Sequence, residues 1–262
     1  MKRILITGAT DGLGRATAQA LAKAGHALII HGRNAEKLAA TAQELRAFGG
    51  PVSVERADLS DLAQVAALGD RLAARGLQID VLINNAGVLK TAQPQTPDGM
   101  DVRFTVNTLA SAMLAMLLLP VIPQDGRIIH LSSAAQAPVN LRALEGHETL
   151  KDMEAYAQSK LAITLWNQCF ADTYPEGPVS IAVNPGSLLA TRMVREGFGT
   201  SGNDLNIGVD ILTRAALSPE FSGVSGRYFD NDARSLAARY PVAQAQIVSR
   251  GINELVTPVA SL

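Results

Sequence analysis

Thr7-Gly8-Ala9-Thr10-Asp11-Gly12-Leu13-Gly14 follows directly on the apolar run Ile4-Leu5-Ile6. Glycine reaches backbone angles closed to other residues and lets a ligand come up against the main chain. Gly8, Gly12 and Gly14 therefore mark a surface of close approach. The next stretch, residues 16–24, is rich in alanine and free of proline, which predicts a helix. Its amino end would face the turn, where unpaired N–H groups and the helix dipole favour a pyrophosphate. The spacing G-x-x-x-G-x-G departs from the commoner G-x-G-x-x-G fingerprint, although the mechanics are similar. A second chemical pair is Tyr156 and Lys160, four apart on a predicted helix. That spacing puts phenol and ammonium on one face, within reach of each other.

The cofactor is read from the strand ends. In dinucleotide sites the second strand commonly ends in an acid that holds the adenosine ribose. Here Ala27-Leu28-Ile29-Ile30-His31 runs into Gly32-Arg33-Asn34 with no carboxylate at the corner. Arg33 offers a planar, permanently charged donor for a 2′-phosphate, which favours NADP(H) over NAD(H). Asp58-Leu59 follows the third strand; Asp58 is placed either to hydrogen-bond the adenine amino group or to cap the helix beginning near Ser60. Asn84-Asn85-Ala86-Gly87 follows the fourth strand. Its amides and small residues suit either a crowded junction under the cofactor or a simple turn.

The elements that must position these residues alternate. Candidate strands cover 3–7, 27–31, 51–56, 79–84, 126–132, 178–184 and 226–229. Between and after them, helices are expected near 13–24, 34–47, 60–75, 99–119, 150–173, 205–217 and 241–255. Such alternation implies right-handed crossovers and a mostly parallel sheet with helices on both faces. The expected fold class is α/β, a Rossmann-like doubly wound sheet of about seven strands. No linker or internal repeat breaks the 262 residues, so one domain is expected. Two longer connections, 134–150 and 186–205, follow strand carboxyl ends and are candidate substrate loops.

Composition narrows the classes further. A net charge of −1 without a basic block argues against nucleic acid as partner. The first strand begins at about residue 3, leaving no room for a leader. The most apolar stretch, 112–122, contains Pro120 and is too short to cross a bilayer. With Cys169 alone there is no internal disulfide, and a soluble cytoplasmic protein is expected. His26, His31, His130 and His147 show no metal-ligand spacing, so no metal is expected. Ser133 lacks the Gly-x-Ser-x-Gly elbow of a hydrolase nucleophile.

Taken together, Thr7-Gly8-x-x-x-Gly12-x-Gly14, Asn84-Asn85-Ala86-Gly87, Asn107, Ser132-Ser133, Tyr156-x-x-x-Lys160 and Asn184-Pro185-Gly186 resemble the short-chain dehydrogenase/reductase family, in family order to about residue 190. The resemblance implies that Gly8, Thr10, Asp11, Gly12, Leu13, Gly14, Arg33, Asp58, Leu59, Asn85, Ala86 and Gly87 line the NADP(H) site. It implies that Tyr156 is general acid in carbonyl reduction and general base in alcohol oxidation. A free phenol has a pKa near 10, about 4 kcal/mol from neutral pH in proton-transfer terms, and Lys160 would narrow that gap. Lys160 would also hold the nicotinamide ribose. Ser133, the second of its pair, would hydrogen-bond the substrate oxygen, and Asn107 would support a water-linked proton path behind the lysine. Pro185, Gly186 and Thr191 would orient the nicotinamide carboxamide.

Two departures bear on substrate. Ser133 and Tyr156 are 23 apart, farther than in the simplest members, and the extra segment resembles the retinol-dehydrogenase-like and related ketoreductase branches. Thr191 lies one residue later than usual from the Pro-Gly pair. The implied function is NADP(H)-dependent hydride transfer to or from a carbonyl or alcohol carbon of a small organic substrate. Homodimers or homotetramers are the family habit, and no membrane partner is expected. The rival functions are a non-catalytic NADP(H)-sensing protein, and an isomerase or dehydratase on the same fold.

Overall fold

The computed structural model describes residues 1–260. One sheet of eight strands runs in the order β3-β2-β1-β4-β5-β6-β7-β8. The strands are β1 (Arg3–Ile6), β2 (Ala27–Gly32), β3 (Val52–Arg56), β4 (Val81–Asn84), β5 (Arg127–Leu131), β6 (Val179–Asn184), β7 (Tyr228–Asp230) and β8 (Ser235–Leu236). All pairings are parallel except β7 with β8. The expected Rossmann-like α/β fold is therefore present with one strand more than the sequence suggested. β8 has two residues, too few for any periodic signal.

Each strand's alternation divides the core in two. In β1, Ile4 and Ile6 face a cluster with Leu13, Leu21, Leu38 and Ile211, whereas Leu5 faces one with Leu68, Phe104, Met113 and Trp166. Side chains alternate across a strand, and parallel sheets bury both faces. Helices α1 (Gly12–Lys23), α2 (Ala35–Arg46) and, later in the chain, α9 (Leu205–Leu217) cover the first face. The second is covered by α3 (Leu62–Ala74), by α4 (Val102–Phe104) continuing into α5 (Ala110–Leu118), by α7 (Asp152–Thr173) and by α10 (Val242–Ala260).

The differences from the expected elements are informative. α3 begins at Leu62, not near Ser60, because Asp61 is its cap, accepting from Ala63 N (3.0 Å) and Gln64 N (3.2 Å). The helix expected at 99–119 is interrupted by a wide turn, Thr105–Leu109, in which Ala110 N donates to Thr105 O. Such one-residue expansions recur at functional positions. The helical stretch Val102–Val121 is also longer than the 112–122 run considered above. By length and composition it could cross a bilayer, but 72% of it is buried inside the protein, as a core helix would be. Both long connections carry a helix of their own: α6 (Leu141–Leu144), capped by Asn140, and α8 (Arg192–Phe198), capped by Thr191.

Candidate active site

Strand order reverses between β1 and β4, the place where open α/β sheets leave a crevice at the strand carboxyl ends. The glycine turn and the Asn84–Gly87 segment meet there. Thr7 Oγ1 accepts from the main-chain N–H groups of Asn85 and Ala86, both at 3.0 Å. Asn85 Nδ2 donates to the carbonyls of Thr7 (2.8 Å) and Gly8 (3.2 Å). The Asn85 amide is thus engaged by the turn rather than left free. Gly8 has φ +65° and Gly12 φ +49°, a region that favours glycine. A Cβ at Gly14 would overlap Asn85 Nδ2 and the Gly8 carbonyl, so this cradle admits no side chain.

The other residues of the turn are placed as follows. Asp11 is exposed and caps α1, accepting from Gly12 N at 2.8 Å. Leu13 is buried against Gly208 within the core on the first face. Thr10 leans on Gly32, where a Cβ would come within 2.6 Å of its methyl group.

At the adenosine end, Arg33, Asn34, Arg56, Ala57, Asp58 and Gln64 line a cleft of about 720 Å³. Arg56 Nε donates to the Arg33 carbonyl at 3.2 Å, so two guanidinium groups share one wall. Arg56 was not picked out from sequence; its place at the end of β3, next to β2 in the sheet, is the signal that could have found it. Asp58 neither caps α3 nor points freely: its Oδ1 accepts from Ser60 N (3.0 Å) and Ser60 Oγ (2.7 Å). Leu59 places its side chain in the core.

His31 also escaped the sequence reading. It is buried, with Nε2 3.1 Å from the Ala57 carbonyl and Nδ1 accepting a long 3.4 Å bond from Gly8 N. Those partners require the neutral Nε2–H tautomer. Burial holds its pKa down at about 4, against weaker opposing effects of the Ala57 carbonyl and Asp58. One imidazole thus ties the glycine turn to the adenine corner.

The Tyr156 and Lys160 side chains share a face of α7, with Lys160 Nζ 5.6 Å from the Tyr156 ring centroid. Lys160 Nζ donates to the Leu131 carbonyl at 2.7 Å, and burial lowers its pKa to about 8. Burial raises the Tyr156 pKa, while a hydrogen bond with the Ser133 side chain opposes that rise. With burial the larger effect, the phenol rests protonated, the form a proton donor needs.

Ser133 and Ser132 part ways. Ser132 is buried, its Oγ donating to the Lys160 carbonyl (3.0 Å) and paired with Thr164 Oγ1 (2.8 Å). Ser133 is half-buried and turns to Tyr156, its Oγ accepting from Ala135 N at 3.1 Å. Asn107 sits in the middle of the wide turn. Its Oδ1 accepts from Val88 N (2.8 Å), and its Nδ2 donates to Val88 O (3.0 Å) and Ser159 Oγ (2.9 Å). Ser159 Oγ donates in turn to the Tyr156 carbonyl at 2.7 Å. A Cβ at Gly87 would lie 3.4 Å from Asn107 Oδ1, 3.6 Å from Lys160 Nζ and 3.7 Å from the Met193 methyl. The buried ions Asp101 and Arg103 stand one turn before Asn107, and Arg103 also pairs with Asp152 at the start of α7.

The segment after β6 is tied to the loop after β7. Gly186 has φ +122°, and its N–H donates to Asn184 Oδ1 at 3.2 Å. Asn231 Nδ2 donates to the Pro185 carbonyl at 3.0 Å, while Asp232 accepts from both Ser187 N (2.9 Å) and Ser187 Oγ. Thr191 caps α8 and lies over the glycine turn, its methyl 3.5 Å from where a Cβ on Gly12 would be. Thr191 thus meets the glycine turn at Gly12 and Met193 meets Gly87, while Pro185 and Gly186 are held by Asn231 and Asn184.

Residues 2–200 match the family model described as short chain dehydrogenase. Over 248 residues the chain is 32% identical to retinol dehydrogenase 12 of Mus musculus, covering 89% of this chain and 78% of the relative. A short chain dehydrogenase from Burkholderia cenocepacia in complex with NADP superimposes with a TM-score of 0.70 at 26% identity, covering 87% of this chain and 95% of that one. The landomycin C-6 ketoreductase with bound NADP and rabelomycin superimposes with a TM-score of 0.69 at 26% identity, covering 88% and 94%.

Proposed function

Because the chain belongs to the short-chain dehydrogenase family, we propose that it is an NADP(H)-dependent oxidoreductase acting on a carbonyl or alcohol carbon of a small organic substrate. The observation that carries this reading is the convergence of Ser133, Tyr156 and Lys160 at the sheet's switch-point crevice, beside Gly87 and Asn107. The residues present fit the cofactor. The cradle at Gly8 and Gly14 would fill with any Cβ, and the Arg33–Arg56 wall supplies cations at the corner where a 2′-phosphate would fall. Solved relatives in complex with NADP or NADPH support the same choice.

When bound, the nicotinamide supplies or takes up the hydride; the chain's own groups manage the proton and the oxygen. Ser133 Oγ hydrogen-bonds the substrate oxygen and stabilises the charge that develops there. Tyr156 Oη, protonated at rest, donates its proton to that oxygen in reduction and accepts it in oxidation. Lys160, whose ammonium lies behind the ring, favours the phenolate left after transfer. Asn107 holds the Val88 backbone and, through Ser159, the first turns of α7 in register with Tyr156. Ile207, exposed against Gly186, and Leu188, exposed two residues after it, offer apolar surface suited to an apolar substrate.

A panel of carbonyl compounds and alcohols, followed by NADPH absorbance, tests the function. Tyr156→Phe is expected to bind NADPH normally and to lose most turnover, about 10²-fold or more. Undiminished turnover would exclude the acid/base role, and substrate turnover with constant NADPH absorbance would exclude net redox chemistry.

A further inference from the structure

The family match ends at residue 200, yet two tyrosines beyond it reach back to the active-site serine. The Tyr228 hydroxyl, on β7, donates to the Ser133 carbonyl at 3.0 Å. Gln136 Nε2 donates to the same oxygen, also at 3.0 Å, and lies 3.3 Å from Ser132 Oγ. Gln136 is itself held by the Tyr240 hydroxyl, which donates to its Oε1. Tyr240 is fixed on α7 by a two-way bond with Gln168: Tyr240 N donates to Gln168 Oε1 (3.1 Å), and Gln168 Nε2 donates to Tyr240 O (3.0 Å).

A peptide carbonyl bound by two donors cannot swing, and the Ser133 Oγ is held separately by Ala135 N. Together these bonds fix the direction of the Ser133 hydroxyl. Burial and the nearby carboxylate of Asp230 hold the Tyr228 hydroxyl protonated, so it is a donor throughout the working range. Neither tyrosine is placed to exchange a proton with substrate; both act on the backbone that carries Ser133.

We propose that Tyr228 and the Gln136–Tyr240 pair are positioning residues that aim the Ser133 hydroxyl at the substrate oxygen, so that the segment beyond the family match completes the active site. The proposal rests on the role given to Ser133 above. A misaimed donor weakens the stabilisation of the developing negative charge more than it weakens substrate binding, so the effect falls on kcat.

The test is a double-mutant cycle between Tyr228→Phe and Ser133→Ala, with kcat, KM, NADPH affinity and thermal unfolding measured for each protein. Tyr228→Phe is expected to lower kcat roughly 3- to 10-fold, the worth of one net hydrogen bond, with KM and NADPH affinity unchanged. In the Ser133→Ala background the same substitution is expected to have no further effect. An equal loss in both backgrounds, or full kcat in Tyr228→Phe while Ser133→Ala is impaired, would overturn the positioning role alone. Full activity in Ser133→Ala would overturn the role of Ser133 and this inference with it. Should Tyr228→Phe fail to fold, Gln136→Leu removes the second donor and carries the same cycle.

Discussion

Removing the guanidinium groups of the adenosine corner is expected to change which nucleotide the protein prefers. Arg33 is exposed, and Arg56 is held against it through Nε, leaving its terminal nitrogens to face the cleft. A hydrogen bond to a charged group contributes about 1.5–3 kcal/mol. Both side chains stand in solvent, where water and salt screen them, so the lower figure applies. About 1.5 kcal/mol is roughly tenfold in Kd. Arg33→Ala and Arg56→Ala should each weaken NADPH about tenfold, and the double variant about 10²-fold, with NADH changed less than about twofold. Titration by the fluorescence enhancement of the reduced nicotinamide reads both ligands in the same way. Raising salt from about 0.1 M toward 1 M shortens the screening length from about 10 Å to 3 Å. The parent's preference for NADPH should shrink accordingly, and the double variant should be indifferent to salt. Parallel loss of NADPH and NADH in Arg33→Ala, or equal affinities in the parent, would refute the reasoning.

Three further outcomes follow from particular contacts. Lys160 has a folded-state pKa of about 8, below the ordinary 10.5, so the folded protein releases this proton first as pH rises. Its contribution to stability therefore grows between about pH 8 and 10.5, by about 3 kcal/mol at most; urea unfolding of the ligand-free protein should show this gain, and Lys160→Met should abolish it. Gly14→Ala forces a methyl group onto Asn85 Nδ2 and the Gly8 carbonyl. It should cost about 1–3 kcal/mol, seen as a lower Tm, together with loss of nucleotide binding by calorimetry. Arg103→Met leaves the buried Asp101 without its cation and should cost about 3–5 kcal/mol in urea unfolding. Asp152→Asn, at a half-exposed partner, should cost far less.

The sheet and its helices were legible because their signals are local and repeated. Strands such as Ile4-Leu5-Ile6 are continuously apolar, as parallel strands buried on both faces must be, and Gly8, Gly12 and Gly14 announce a turn by type alone. The pairing of Tyr156 with Lys160 followed from helical spacing. What escaped depends on neighbours distant in sequence. Arg56 gains meaning only because β3 lies beside β2, and His31 only because Gly8 and Ala57 approach it from two other elements. Tyr228 is linked to Ser133 across 95 residues. The raised pKa of the phenol is also a collective result, since it comes from burial by the surrounding protein. The short helices α6 and α8 are made by their caps, Asn140 and Thr191, which look in sequence like ordinary loop residues.

The wide turn at Thr105–Leu109 sets how the chain can change its length. An α-helix advances about 100° per residue, so the additional residue in this turn is a phase correction between α4 and α5. Deleting one residue here would leave a helix with better-matched hydrogen bonds, yet it would rotate one side against the other. Either Asn107 would leave Val88 and Ser159, or Met113 and Leu114 would leave the core. The segment 134–150 is tied down where Ala143 and Leu144 enter the core and where Asn140 N donates to Gln158 Oε1, but residues 147–149 are exposed. Insertions and deletions should therefore be tolerated unevenly: most readily at the exposed residues 147–149 of that connection, and not at all across five buried residues in the middle of a helix.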